Sequence, residues 1–198
     1  MGGRTFKTKM MDYFFNTPPD FNSDETNEPF KVCLICSEDL LHSGVPYSIE
    51  KAKKVLETGD EVTLYEMAIC MPCAEQMNKR VSDHSRKVME EFFEEIGLME
   101  LRQNLPKSDN PGAWKERCML SGKPKADIKE YNIVAQMVNG RMMFGMPPML
   151  IDLSVMEPLQ EKLSPETKEE FDNFRDEFLA PSDPELRALL AETNFVFF

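Results

Sequence analysis

Four cysteines carry the most definite chemistry in this sequence. "KVCLICSEDL", residues 31–40, sets Cys33 and Cys36 in a CxxC, and "AICMPCAEQM" sets Cys70 and Cys73 in a second. The tight turn inside a CxxC brings two thiolates to one side. Two such pairs complete the tetrahedral four-sulfur shell that Zn2+ prefers, at about 2.3 Å per bond. The sequence therefore predicts Cys33, Cys36, Cys70 and Cys73 as metal ligands and Zn2+ as the cofactor, with a rubredoxin-like iron site using the same ligands as the alternative metal. With four protein thiolates on one ion, no coordination position is left for water or substrate. That favours a structural over a catalytic metal.

Two other chemistries compete for the same thiols. Disulfides are disfavoured in a cytosolic chain of this size. A thioredoxin-type redox CxxC needs a strand before it and a helix start under it, and only the second pair has that context.

The elements that position the pairs can be read from periodicity. The pairs are separated by 33 residues, 37 to 69, so the intervening segment must be a structured insertion. Residues 49–56 are expected to form a short helix, and "EVTLYEMAI" a strand running into Cys70. From Ala74 to about Ile96 an apolar stripe of Met77, Val81, Val88, Phe92 and Ile96 predicts one long helix, with Gly97 as its stop. Pro72 suits the first turn of that helix and puts Cys73 near the positive end of its dipole. A knuckle, then a strand, a knuckle and a helix resembles the treble-clef class of zinc fingers, over residues 32–96. That resemblance implies a metal and leaves the function open, because the class serves very different tasks.

The flanks read differently. Residues 16–29, "NTPPDFNSDETNEP", have the composition of a linker. "MMDYFF" before them and "NFVFF" at the C-terminus are too apolar for idle tail. "NLPKSDNPGAW", residues 104–114, marks a boundary. Beyond it, Asn139-Gly140 between two apolar runs predicts a type I′ hairpin pairing Val138 with Arg141 and Met137 with Met142. Ser164 is expected to cap a helix with Pro165 and Glu166 in its first turn and Phe171, Phe174 and Phe178 on its apolar face. Ser182 or Asp183, followed by Pro184, starts a last helix. No internal repeat is visible.

Weaker signals have plainer readings. His42 is expected at the surface, and His84 packed in the helical stripe, roughly 16 Å along the helix from Cys73. Cys118 reads as a buried small hydrophobe. "SGKP", residues 121–124, lacks the upstream glycine of a phosphate loop. Met137, Met142, Met143, Met146 and Met149 read as flexible core filling or an adaptable binding surface rather than a copper site.

Charge narrows the partners. Thirty-five acidic residues face twenty-three basic ones, a net of −12. Of this, 155–198 supply −7, from eleven acidic and four basic residues. Such a balance opposes binding to nucleic acid or to an anionic membrane. No apolar run approaches the roughly 18–20 residues that span a bilayer, and the N-terminus lacks the apolar core of a secretory signal, so a cytoplasmic location is expected.

The fold expected is α+β: a flexible arm over 1–29, a four-cysteine zinc domain of treble-clef type with a long helix over 30–104, and a hairpin with acidic helices over 113–198. No nucleophile–base pair or nucleotide loop is visible. The expected function is that of a non-enzymatic, zinc-stabilised interaction or adaptor protein with an unidentified protein partner. The alternative is a thiol-based redox or metal-responsive protein using the same CxxC pairs.

Overall fold

The structure, a computed structural model, describes residues 17–103, 112–143 and 147–193. "MMDYFF", "NFVFF", Met146 and most of the 104–114 boundary lie outside the described residues. What is described is a mixed helical and antiparallel-sheet fold in which strands β1 (Tyr47–Val55), β2 (Glu61–Cys70), β3 (Glu130–Val138), β4 (Arg141–Met142) and β5 (Met149–Asp152) form one sheet. The sheet runs β2-β1-β3-β4, with β5 pairing the same edge of β3 further along. Strands from 30–104 and from 113–198 thus pair with one another, β1 against β3, at the centre of the sheet.

β1 corrects the expectation of a short helix over 49–56. Its charges, Glu50 and Lys51, hid a central strand, because both are buried against partners contributed by distant segments. Lys51, with a fully buried side chain, reaches Asp24 at 2.5 Å and Glu66 at 3.1 Å. Glu50 accepts from the Tyr65 hydroxyl at 2.6 Å and from the Asn132 amide. Burying such charges is tolerated only when they are paired and hydrogen-bonded, and here they are.

Asp24 belongs to the segment expected to be a flexible linker. Residues 17–29 instead lie on the body of the protein. Phe21 is fully buried and stacks on Trp114 with ring centroids 5.3 Å apart, and Ser23 donates to Glu66 at 2.7 Å. Burying one phenylalanine stabilises by about 2 kcal/mol, enough to hold a short polar segment in place.

The long helix expected over 74–96 is two helices, α1 (Met71–Asn78) and α2 (Asp83–Ile96). The break falls where Ser82 leaves helical geometry (ψ 152°) and accepts from the Ser85 N–H, an N-cap that the apolar period alone does not reveal. Gly97 ends α2 in the left-handed conformation (φ 69°), as expected, and α3 (Leu98–Gln103) follows.

The local turn and cap signals hold. Asn139 and Gly140 both take positive φ, and β3 pairs β4 in the expected register, Val138 with Arg141 and Met137 with Met142. After β5 come a 3-10 turn (Leu153–Met156), α4 (Glu157–Lys162), α5 (Pro165–Phe174) capped by Ser164, and α6 (Pro184–Ala191) capped by Asp183. Met137, Met142 and Met149 are buried and fill core space. No helix among the described residues is long and apolar enough to cross a membrane.

Candidate metal centre

Cys33 and Cys36 sit on a ten-residue loop closed like a miniature hairpin. Val32 bridges Asp39, the Cys33 N–H donates to the Glu38 carbonyl at 2.9 Å, and the Ser37 N–H returns to the Cys33 carbonyl at 3.0 Å. Ser37 takes φ 61° to make that turn, a conformation more often given to glycine, and no sequence signal announced it. The loop is fastened to the sheet by the Leu34 N–H, which donates to the Ala68 carbonyl at 2.9 Å. Cys70 ends β2 and is the N-cap of α1, and Cys73 stands in that helix's first turn behind Pro72. The β1–β2 hairpin is the structured insertion that the spacing required. It carries Cys70 back to the knuckle.

The two CxxC pairs, far apart in sequence, converge. The four Sγ atoms all lie within 4.8 Å of one another, and Cys36 and Cys70 approach to 3.7 Å. A tetrahedral ion with bonds of about 2.3 Å needs sulfur–sulfur edges of about 3.8 Å, so the arrangement fits one metal ion. All five cysteines of the chain are free thiols. Cys33 and Cys70 are buried, Cys73 half-buried and Cys36 exposed. Among the described residues this is the only group of three or more histidine, cysteine, aspartate or glutamate side chains placed to hold a metal ion.

Electrostatics give the cluster its reason for a cation. Burial opposes ionisation of Cys33, but backbone N–H groups of Cys36, Cys70 and Ile35 aimed at its sulfur bring it down to about 7. Burial and the neighbouring sulfurs push Cys70 and Cys73 up. One thiolate is easily formed, while Cys70 and Cys73 resist, because burial disfavours their charge and like charges crowd a small volume. A divalent cation removes that repulsion, and four thiols deprotonate as it binds.

The remaining candidates stand outside the cluster. His42 is exposed beside Asp39, its Nδ1 3.0 Å away. His84, expected to be packed, is exposed, and its Nε2 donates to the Lys162 carbonyl at 3.2 Å. Cys118 is buried, as expected, and accepts from the Asp152 N–H at 3.3 Å.

The chain matches no protein-family model, no curated protein and no solved structure. The functional reading therefore rests on the geometry of the site itself.

Proposed function

We propose that the protein is a non-enzymatic interaction protein whose N-terminal half is stabilised by a structural Zn2+ on Cys33, Cys36, Cys70 and Cys73. The observation that carries this reading is the closed shell: four sulfurs within 4.8 Å of one another leave no position for a substrate or a reactive water. A treble-clef architecture is supported by the order knuckle, β-hairpin, helix, with the last two thiols at the N-cap and first turn of α1. Zinc is the reading preferred over iron because a closed site of this kind contributes folding free energy and needs no change of oxidation state.

The expected partner is a protein. Helices α2 and α5 present exposed carboxylates, among them Glu90, Glu91, Glu94, Glu169 and Asp172, which favour a basic surface opposite and oppose nucleic acid or anionic lipid. A cytoplasmic location accords with unpaired thiols.

The exposure of Cys36 favours one alternative, a redox or metal-responsive role. The two readings part under oxidant. A structural site keeps one zinc per chain through mild peroxide, and thiol reagent then reaches only Cys118, slowly. A redox site releases zinc stoichiometrically as a disulfide forms within a CxxC, and regains it on reduction. Elemental analysis finding no metal would sink the zinc reading and leave thiol redox chemistry of the CxxC pairs as the alternative.

A further inference from the structure

The knuckle that holds Cys33 and Cys36 has a second copy in the chain, although the sequence shows no repeat. Residues 117–124 repeat its hydrogen bonds one for one. Arg117 bridges Pro124 as Val32 bridges Asp39. The Cys118 N–H donates to the Lys123 carbonyl at 2.8 Å, matching Cys33 to Glu38, and the Gly122 N–H returns to the Cys118 carbonyl at 2.9 Å, matching Ser37 to Cys33. Gly122 takes φ 71° where Ser37 takes 61°. The Met119 N–H fastens the loop to the Leu150 carbonyl at 2.8 Å, as Leu34 does to Ala68. Two residues beyond each of those carbonyls, an N–H donates to the knuckle's first sulfur: Asp152 to Cys118 at 3.3 Å, and Cys70 to Cys33 at 3.4 Å.

The rest of the fold follows the same two-fold relation. Tyr47 pairs Cys70 in the β1–β2 ladder, and Tyr131 pairs Asp152 in the β3–β5 ladder. Between β1 and β3, the pair Tyr47–Met137 has its mate in Lys53–Tyr131, and Glu50 faces Val134 on the axis between them. Cys70 is the N-cap of α1, and Asp152 is the N-cap of the 3-10 turn that leads into α4. Where α2 and α5 begin, their N-caps meet across the axis, Ser82 Oγ 2.9 Å from Ser164 Oγ. The exchange there is reciprocal. The Ser82 N–H donates to Thr167 at 3.1 Å, and the Ser164 N–H donates to Ser85 at 2.9 Å, so each helix completes the other's capping box. A contact of i with j mirrored by j with i is the mark of a two-fold interface, here within one chain.

We propose that the protein is an internal duplication, with residues 32–96 and 117–179 as its two copies, and that Cys118, Ser121, Asp152 and Val155 mark a second metal station whose metal has been replaced by hydrogen bonds and an ion pair. These four stand where Cys33, Cys36, Cys70 and Cys73 stand, and their burial runs in the same order: buried, exposed, buried, half-buried. Ser121 and Val155 offer no soft donor, so the station does not take zinc. Its cross-link has passed to Lys123, the counterpart of Glu38. Lys123 Nζ reaches Asp152 Oδ2 at 3.0 Å and ties the knuckle to the helix start, the two segments that the thiolate cluster joins in the first copy. The second metal position rests on the metal reading of the first, whereas the duplication rests on the backbone alone.

The test is to restore the missing thiols in the full chain with Ser121→Cys, Asp152→Cys and Val155→Cys together, and to titrate both proteins with Co2+. The parent should bind one equivalent and the triple variant two, with the thiolate-to-cobalt absorption per chain doubled and its tetrahedral signature unchanged. A folded triple variant that still binds one equivalent, or binds a second without the four-thiolate signature, overturns the proposal. If the triple variant does not fold, Ser121→Cys with Asp152→Cys alone should add a weaker second equivalent on three thiolates, and one equivalent there overturns it equally. A parent that binds none beside a variant that binds one would refute the zinc reading and leave the second station standing.

Discussion

Two knuckles of one backbone shape are held closed in two ways. In the first, four thiols converge between the loop and the helix start. The second keeps one buried thiol, Cys118, and joins the same segments through Lys123 and Asp152, with the Asp152 carboxylate also accepting from the N–H and the hydroxyl of Ser154. A metal replaces many weak contacts by four strong bonds and is then indispensable to its loop. Distributed hydrogen bonds and burial hold the second loop without any single indispensable member.

The comparison breaks first at the thiols. Cys70→Ser should cost several kcal/mol, because it removes a share of a metal-binding free energy of the order of 10 kcal/mol. Cys118→Ser, at a position equally buried, should cost about 1–3 kcal/mol, the penalty of a misplaced polar group. Chemical denaturation with and without a chelator measures both, and the chelator should erase only the first difference. Equal costs at Cys70 and Cys118 would refute the division of labour.

Asp152→Asn comes next, at about 1–3 kcal/mol. Burial raises the Asp152 carboxyl, but Ser154 and Lys123 outweigh it and leave the group below its ordinary 3.8. A lowered folded value means the stabilisation is whole above the ordinary value and is lost as pH falls below it through the folded one. Acid denaturation of the variant should therefore show a shallower limb below about pH 4, and an unchanged limb would remove the ion pair from the account.

The interlocked caps sharpen the two-fold reading. Ser82→Ala and Ser164→Ala should each cost about 1 kcal/mol, and the double variant should depart from their sum by about 0.5 kcal/mol or more, since the hydroxyls touch. Additive costs would mean the two caps are independent.

The smallest effect falls at the turns, where the copies differ. Gly59 and Gly140 both take positive φ, so alanine strains either by about 1 kcal/mol. A Cβ at Gly140 would also meet Leu41 Cδ2 at 3.2 Å, whereas one at Gly59 meets nothing. Thermal melts should place Gly140→Ala below Gly59→Ala, and the reverse order would mean that the Leu41 contact gives way freely.

What the sequence determined by itself was whatever depends on neighbours in the chain. A CxxC turns two thiols to one side, Asn139-Gly140 fixes a type I′ turn and its register, and Ser164-Pro165 and Asp183-Pro184 start helices, because the groups involved are only a few residues apart. The tertiary structure decided the rest. Glu50 and Lys51 belong to a central strand only because Tyr65, Asn132, Asp24 and Glu66 arrive to pair them. The break at Ser82 likewise depends on a partner hydroxyl from the other copy. The duplication stayed hidden for two reasons. The spacing of equivalent residues drifts from 85 at Cys33 and Cys118, through 84 at Tyr47 and Tyr131, to 82 at Ser82 and Ser164. And the shared shape is made of backbone hydrogen bonds, which nearly any side chain permits, so the two copies kept one geometry while their sequences moved apart.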